Sequence, residues 1–470
     1  MAGLCCTALA AVLGSETFSQ GSTAYTSSLS SYWSLQETEL LPSCIVQPTT
    51  AEHVSLAVKT LASNNCSFAV RSGGHSPNAG AANIAAGLTI DLTHLDTVTV
   101  SSDQSTVSVG PAATWGAVYS TLDPLNLTVA GGRSGGVGVG GLTLGGGISF
   151  HSPRVGFTAD TVTNFQVVLA DGRIVDSKDD TDLDWSLRGG SNNFGVVTRV
   201  DLASIQQGLI WGGNRYSLID TIDAQLQAFA DISNPTTYDE YASLIMTLAY
   251  DSASGMQLVV NAIEYTKPEA NPPVYQPLMD IPAIASTMRI DSMASISNEL
   301  AQSSPNGERV FYMTVTHGNS LEMLKAVHEA WSNSVTSIKG VAGVTWSLSL
   351  EPLPPAIYER HQYENALGLT DRGGKGLVVT LLTALWTNAA DDATVETAGE
   401  TLFEDIKSAA QGLGEYDPYL YLNYANTGSW QGSPIDSYGF GSAARLRQTS
   451  AKVDPSGVFQ KKVPGGFKLS

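Results

Sequence analysis

The sequence predicts an α+β fold with a glycine-rich first half and a second half built as an antiparallel sheet covered by helices. Three observations carry this reading. Before about residue 205, glycines and short alternating strand patterns crowd together. Beyond it glycine thins, and helical periodicity alternates with strands rich in Leu, Val and Thr. No internal repeat is visible, which argues against a solenoid or propeller. The 470 residues exceed one ordinary domain of roughly 100–200 residues. A hydrophobic content of 43% supports a packed core and excludes general disorder.

The opening residues 1–14 are apolar but lack a basic stretch, so they make a poor signal peptide. All the cysteines follow early: Cys5, Cys6, Cys44 and Cys66. They form no C-x-x-C pair and no His cluster accompanies them, so no metal site is expected. Adjacent cysteines do not readily bond to each other. The expectation is two disulfides from Cys5 and Cys6 to Cys44 and Cys66, with the pairing open and four buried thiols as the alternative. Sequons at Asn65-Cys66-Ser67 and Asn126-Leu127-Thr128 point the same way, to a secreted protein or one of the secretory pathway.

Residues 48–61 read as a capped helix with Val54, Leu56, Ala57 and Leu61 on its apolar face. Residues 66–71 read as a short buried strand, ended by Gly73-Gly74-His75. Residues 88–92, 98–100 and 105–110 alternate as strands, and 114–122 as a helix. Residues 165–175 read as a hairpin turning at Asp171-Gly172, and 196–200 as a strand. In the second half, helices are expected over 224–232, 321–331 and 394–410. Strands are expected over 258–263, 310–316, 344–350 and 376–386.

Lys and Arg number 24 against 44 Asp and Glu, a formal charge of −20, so a nucleic-acid partner is excluded. No uncharged apolar run reaches about 18 residues, so no segment is expected to span a membrane. The densest local signal is residues 131–147, with ten glycines in seventeen positions. They are too closely spaced to open a helix in the dinucleotide-binding pattern. Such density lets backbone approach a large flat ligand, with N–H groups aimed at anionic oxygens. Interleaved Val137, Val139, Leu142, Leu144, Ile148 and Phe150 argue against a polar linker. Arg71-Ser72-Gly73-Gly74-His75-Ser76 is a second glycine turn, which presents a histidine.

Arg71-Ser72-Gly73-Gly74-His75, the 131–147 tract and Arg188-Gly189-Gly190-Ser191-Asn192-Asn193-Phe194-Gly195-Val196-Val197-Thr198 together resemble the FAD-linked oxidoreductases of the vanillyl-alcohol-oxidase superfamily. The closer resemblance is to the berberine-bridge-enzyme-like fungal flavoprotein oxidases. It extends to Tyr421-Leu422-Asn423-Tyr424 and to Asp454-Pro455-Ser456-Gly457-Val458-Phe459, and so covers nearly the whole chain. It implies a two-subdomain PCMH-type FAD-binding domain over 1–205 and a substrate domain over 206–415. Residues 416–470 would then return to the FAD-binding domain.

The resemblance also implies roles. His75 would bond covalently to FAD. Arg71, Ser72, Gly73, Gly74 and Ser76 would form the pyrophosphate loop. Ser134, Gly135, Gly136, Val137, Gly138, Gly140, Gly141, Leu142 and Gly145 would line the flavin and its phosphates. Gly195, Val196 and Val197 would touch the adenine side, and Asn423 and Tyr424 would close over the isoalloxazine. Ser134 stands where bicovalent members carry a second linking cysteine, so a single bond through His75 is expected, with a lower flavin potential and a more open cleft. Val137 matches a position where valine accompanies oxygen access.

The reaction implied is hydride transfer from a hydroxylated or nitrogenous small molecule to the flavin. Reoxidation by O2 would yield hydrogen peroxide, in a chain expected to be a monomer. Tyr421 is the candidate base and His151 the other; the competing readings are an aromatic wall of the pocket for Tyr421 and, for His151, a histidine at the surface or behind the residues that touch the ligand. Carbohydrate oxidation and non-redox cyclisation are the alternative activities. Arg289, Arg360 and His361 are candidate polar contacts to substrate, against a surface placement.

Overall fold

The computed structural model describes residues 2–360, 363–370, 372–428 and 430–469. His361 therefore lies outside the described residues. The chain opens with the helix Ala2–Val12, which carries Cys5 and Cys6. Consecutive helical residues point about 100° apart, so the two sulfurs reach different partners. Cys5 bonds to Cys66, and Cys6 to Cys44. Cys44 begins a strand of a four-stranded sheet and Cys66 lies two residues before another; in that sheet Cys44–Val46 and Phe68–Arg71 run parallel to Leu88–Asp91. Disulfides thus fix the pairing that the sequence left open and exclude four free thiols.

The helix Ala51–Ser63 covers this sheet. Its Thr50 cap accepts a hydrogen bond from His53 N. The buried face is Val54, Ala57, Val58 and Leu61, the i, i+3, i+4, i+7 set. Leu56, expected on that face, is 37% exposed, and Val58 takes its place.

A second, five-stranded antiparallel sheet joins Val98–Val100, Thr106–Val109, Val196–Ala203, Val162–Val168 and Ile174–Asp176. The hairpin between Val162–Val168 and Ile174–Asp176 turns at Gly172, whose φ is +83°. The helix Trp115–Leu122 starts at Thr114, as expected. The glycine tract departs from expectation, because it does open a short helix, Val139–Leu144. Val139 and Thr143 are buried there, and Thr143 Oγ1 donates to Val139 O. Tertiary packing on both sides, not glycine propensity, holds this turn and a half.

The third sheet has nine strands, antiparallel throughout. Its long strands are Ile210–Leu218, Ala242–Asp251, Met256–Tyr265, Arg309–Gly318, Thr345–Leu353 and Leu377–Trp386. Helices Ile222–Ile232, Leu321–Ile338 and Asp392–Leu413 cover one face. The last two run further than the sequence suggested, since Val335 and Ile338 continue the buried stripe of the first and residues 411–413 extend the second. Side chains alternate across the sheet. In Thr345–Leu353, Trp346, Leu348 and Leu350 meet the helices, while Thr345, Ser347, Ser349 and Glu351 face a cavity.

The C-terminal segment packs back on the first sheet. Val458, Phe459 and Val463 join its core, and Phe68 N donates to Lys462 O at 2.8 Å. The turn closes where Asp454 accepts from Phe459 N at 2.7 Å and Gly457 adopts a φ of +67°.

Candidate active site

A cavity of about 600 Å³ lies between the glycine loops and the open face of the large sheet. That volume falls within the usual range for a cofactor or ligand site. Its first wall is two loops in backbone-to-backbone contact. A Cβ on Gly73 would lie 2.5 Å from Gly138 Cα, and one on Gly138 would lie 2.6 Å from Gly73 Cα. Only glycine permits that approach. Gly140 faces Ser72 Oγ and Pro111 in the same way. Ser72, Gly73, Gly74, His75 and Ser76 line the cavity, as do Ser134, Val137, Gly138, Gly140, Gly141 and Leu142. Gly195, Val196 and Val197 also line it, as do Asn423 and Tyr424.

Other expected contacts lie elsewhere. Arg71 turns beneath its loop, where it donates to Ser28 O at 2.6 Å and Ser31 Oγ at 2.7 Å. Its guanidinium also lies 4.0 Å over the Tyr32 ring. It braces the loop and does not line the cavity. Gly135 and Gly136 face the helix Met293–Ala301 instead, because Gly135 N donates to Ser297 O and leaves no room for a Cβ beside Asn298. Gly145 packs against Asn423, whose Oδ1 a Cβ would meet at 2.1 Å.

His75 lines the cavity, and neither ring nitrogen bonds another of the described residues. Burial pushes its pKa down to about 4, so the imidazole is neutral at neutral pH. Ser134 Oγ is buried without a partner and also faces the cavity. His151 is 0% exposed and lies outside the lining. Its Nε2 pairs with Gln207 Oε1 at 3.0 Å, and burial, with Arg154, pushes its pKa down to about 4. That placement removes it as a base for a bound substrate.

Tyr421 does reach the cavity. Its hydroxyl accepts from Ile148 N at 3.1 Å and Asn423 Nδ2 at 3.0 Å. Burial outweighs these donors and pushes its pKa up to about 12. Asn423 Nδ2 also donates to Leu142 O, which ties this segment to the glycine helix. Arg289 is held by Asp291 and Glu299, and exposed Arg360 by Glu240, so both are surface ion pairs.

Three residues complete a cluster that sequence reasoning only partly found. Tyr424 Oη donates to Glu351 Oε1 at 2.9 Å and accepts from Arg133 Nη2 at 3.0 Å. Arg133 also pairs with Glu351 Oε2 at 2.5 Å. Burial opposes the Arg133 charge, but Glu351 and Tyr424 outweigh it and raise its pKa. Burial and the Glu351 charge raise Tyr424 well above the usual phenol value. Two signals were available in the sequence. Arg133 is the one charged residue within 131–147, and Glu351 continues the polar alternation of Thr345, Ser347 and Ser349.

The loop geometry fits FAD. The Gly73–Gly138 contact, the free Ser134 hydroxyl and the unpaired imidazole form a cradle for a large flat cofactor. Ser72–Ser76 and Gly138–Leu142 would hold it, together with Gly195–Val197.

Comparison with known proteins agrees. A family model described as "FAD binding domain" matches residues 42–178. The FAD-dependent monooxygenase sdcF of Emericella nidulans is 37% identical over 99% of this chain and 98% of its own length. This chain belongs to the same family of FAD-dependent oxidoreductases as sdcF. Oligopeptidase PhomG' of Diaporthe leptostromiformis is 41% identical to the flavoprotein over 98% of this chain, which spans 37% of that longer protein. Solved structures share the fold at low identity. 6-Hydroxy-D-nicotine oxidase from Arthrobacter nicotinovorans superposes at a TM-score of 0.78 with 18% identity, covering 97% of each chain. Berberine bridge enzyme with (S)-reticuline superposes at 0.75 with 17% identity, covering 97% of the flavoprotein and 96% of that chain.

Proposed function

We propose that this flavoprotein is an oxidase for a hydroxylated or nitrogenous small molecule, with FAD tethered through His75 alone and O2 as electron acceptor. The observation that carries the reading is one cavity in which the glycine cradle and His75 face the Tyr424–Glu351–Arg133 cluster. When bound, the flavin supplies the acceptor for a substrate hydride. The chain handles the proton. A substrate O–H or N–H that reaches Tyr424 Oη passes its proton there as the phenol proton moves to Glu351. Arg133 holds the second Glu351 oxygen and keeps the carboxylate oriented. Tyr421 serves as the wall and brace of this site. Two donors already occupy its oxygen, whereas the Tyr424 hydroxyl is bonded to Glu351, which can take a proton on.

No tryptophan lines the cavity among the described residues, which disfavours a tryptophan sugar platform and hence the carbohydrate reading. The relatives' name, monooxygenase, supports a second reading in which one atom of O2 enters the product. The disulfides support a secretory-pathway location. Among the described residues no helix is long and apolar enough to cross a membrane.

The test is a substrate screen read in two ways. An oxidase bleaches anaerobically with substrate, then recolours in air with one peroxide per product. Isotopic oxygen from 18O2 in the product, with no peroxide, would establish the monooxygenase reading instead. Product formed without oxygen consumption would establish a non-redox cyclase.

A further inference from the structure

Trp33 belongs to none of the glycine motifs, yet its indole stacks on His75. The ring centroids lie 4.1 Å apart and the planes differ by 10°. Trp33 is 1% exposed and does not line the cavity, whereas His75 does. The indole therefore covers one face of the imidazole and leaves the other side toward the cavity.

The indole is itself fixed from several directions. Trp33 N donates to Gly74 O at 3.1 Å, within the loop that carries His75. Its Nε1 donates to Ser304 O at 3.2 Å, and its carbonyl accepts from Gly307 N at 3.0 Å. The Tyr312 ring meets its edge at 5.3 Å. By contrast, the imidazole makes no hydrogen bond with the described residues. The second side-chain torsion of histidine is broad and weakly restrained. Stacking is thus the contact that restrains the ring plane, and aromatic pairs of this kind contribute about 0.5–1.5 kcal/mol.

We propose that Trp33 is a positioning residue for the flavin tether, setting the imidazole plane so that a ring nitrogen faces the cofactor. The inference rests on the His75 linkage proposed above. In that linkage an imidazole N–C bond forms to the flavin methyl carbon. One methyl C–H and the imidazole N–H break. The two protons and two electrons end on the bound ring system, and O2 then removes them as peroxide.

The test compares wild type, Trp33→Phe and Trp33→Leu, each loaded with FAD and precipitated in acid. Flavin is measured in pellet and supernatant, with the melting temperature as a control. Trp33→Phe keeps a flat ring, so its pellet should hold flavin near the wild-type level. Trp33→Leu should bind as much total flavin but lose covalent flavin severalfold, moving it to the supernatant. A Trp33→Leu pellet as yellow as wild type would overturn the proposal. Should that variant fail to fold, Trp33→Met fills the volume without a flat face and is expected to behave as Trp33→Leu. Equal losses in Trp33→Phe and Trp33→Met would assign Trp33 a merely structural role. A colourless wild-type pellet would overturn the tether itself, and the proposal with it.

Discussion

Tyr424 and Tyr421 lie in one cavity with ring centroids 4.7 Å apart, but their hydroxyls do different work. Tyr424 donates to a carboxylate, while Tyr421 only accepts from N–H groups of the protein. Tyr424→Phe and Glu351→Gln should each slow flavin reduction by about 10²–10⁴-fold, the usual span for losing a general base. Tyr421→Phe should cost far less; stopped-flow absorbance of the flavin measures all three. Glu264 offers a separate check on burial. Both its carboxylate oxygens are buried without a partner, and burial raises its pKa to about 8. A raised carboxylate pKa contributes stability that is present below the unfolded value of 4.5 and is lost as pH rises through 8. Glu264→Gln should therefore gain on wild type as pH climbs from 4.5 to 8, read as the difference in melting temperature. A difference that does not change with pH would contradict the burial account.

At the scale of elements, the glycine loops make two kinds of prediction. Gly73→Ala places a Cβ 2.5 Å from Gly138 backbone, which cannot yield as a flexible side chain would. It should lower both melting temperature and flavin content, by about 1–3 kcal/mol in stability. Gly141 lines the cavity and its Cβ would meet nothing within 4 Å. Gly141→Ala should keep the wild-type melting temperature without cofactor but bind FAD more weakly. Glycine density made this wall legible in the sequence, although the short helix Val139–Leu144 was not, since its packing comes from distant partners. The strand Ala242–Asp251 was missed because Ala, Leu and Met are also good helix formers. In Ile210–Leu218, Gly212 and Gly213 interrupt the strand pattern. Tyr424 and His75 stood out through local motifs. Trp33 and Glu351 did not, because their roles arise from contacts with residues far along the chain, His75 for the first and Arg133 and Tyr424 for the second.

For the whole molecule, the N-terminal helix is a covalent part of the fold. The two disulfides close separations of 61 and 38 residues. Removing the Cys5–Cys66 bond by a paired change to serine should cost about 2–5 kcal/mol in denaturant unfolding. The charge of −20 and an anionic cofactor coexist because backbone loops, rather than clustered Lys and Arg, form the cradle. In the proposed function this cradle holds a flavin tethered at one side chain. The most direct measurement is peptide mass mapping after denaturation and proteolysis. One FAD is expected on the peptide containing His75 and none on the peptide containing Ser134. An unmodified His75 peptide, with all the flavin released on denaturation, would contradict it.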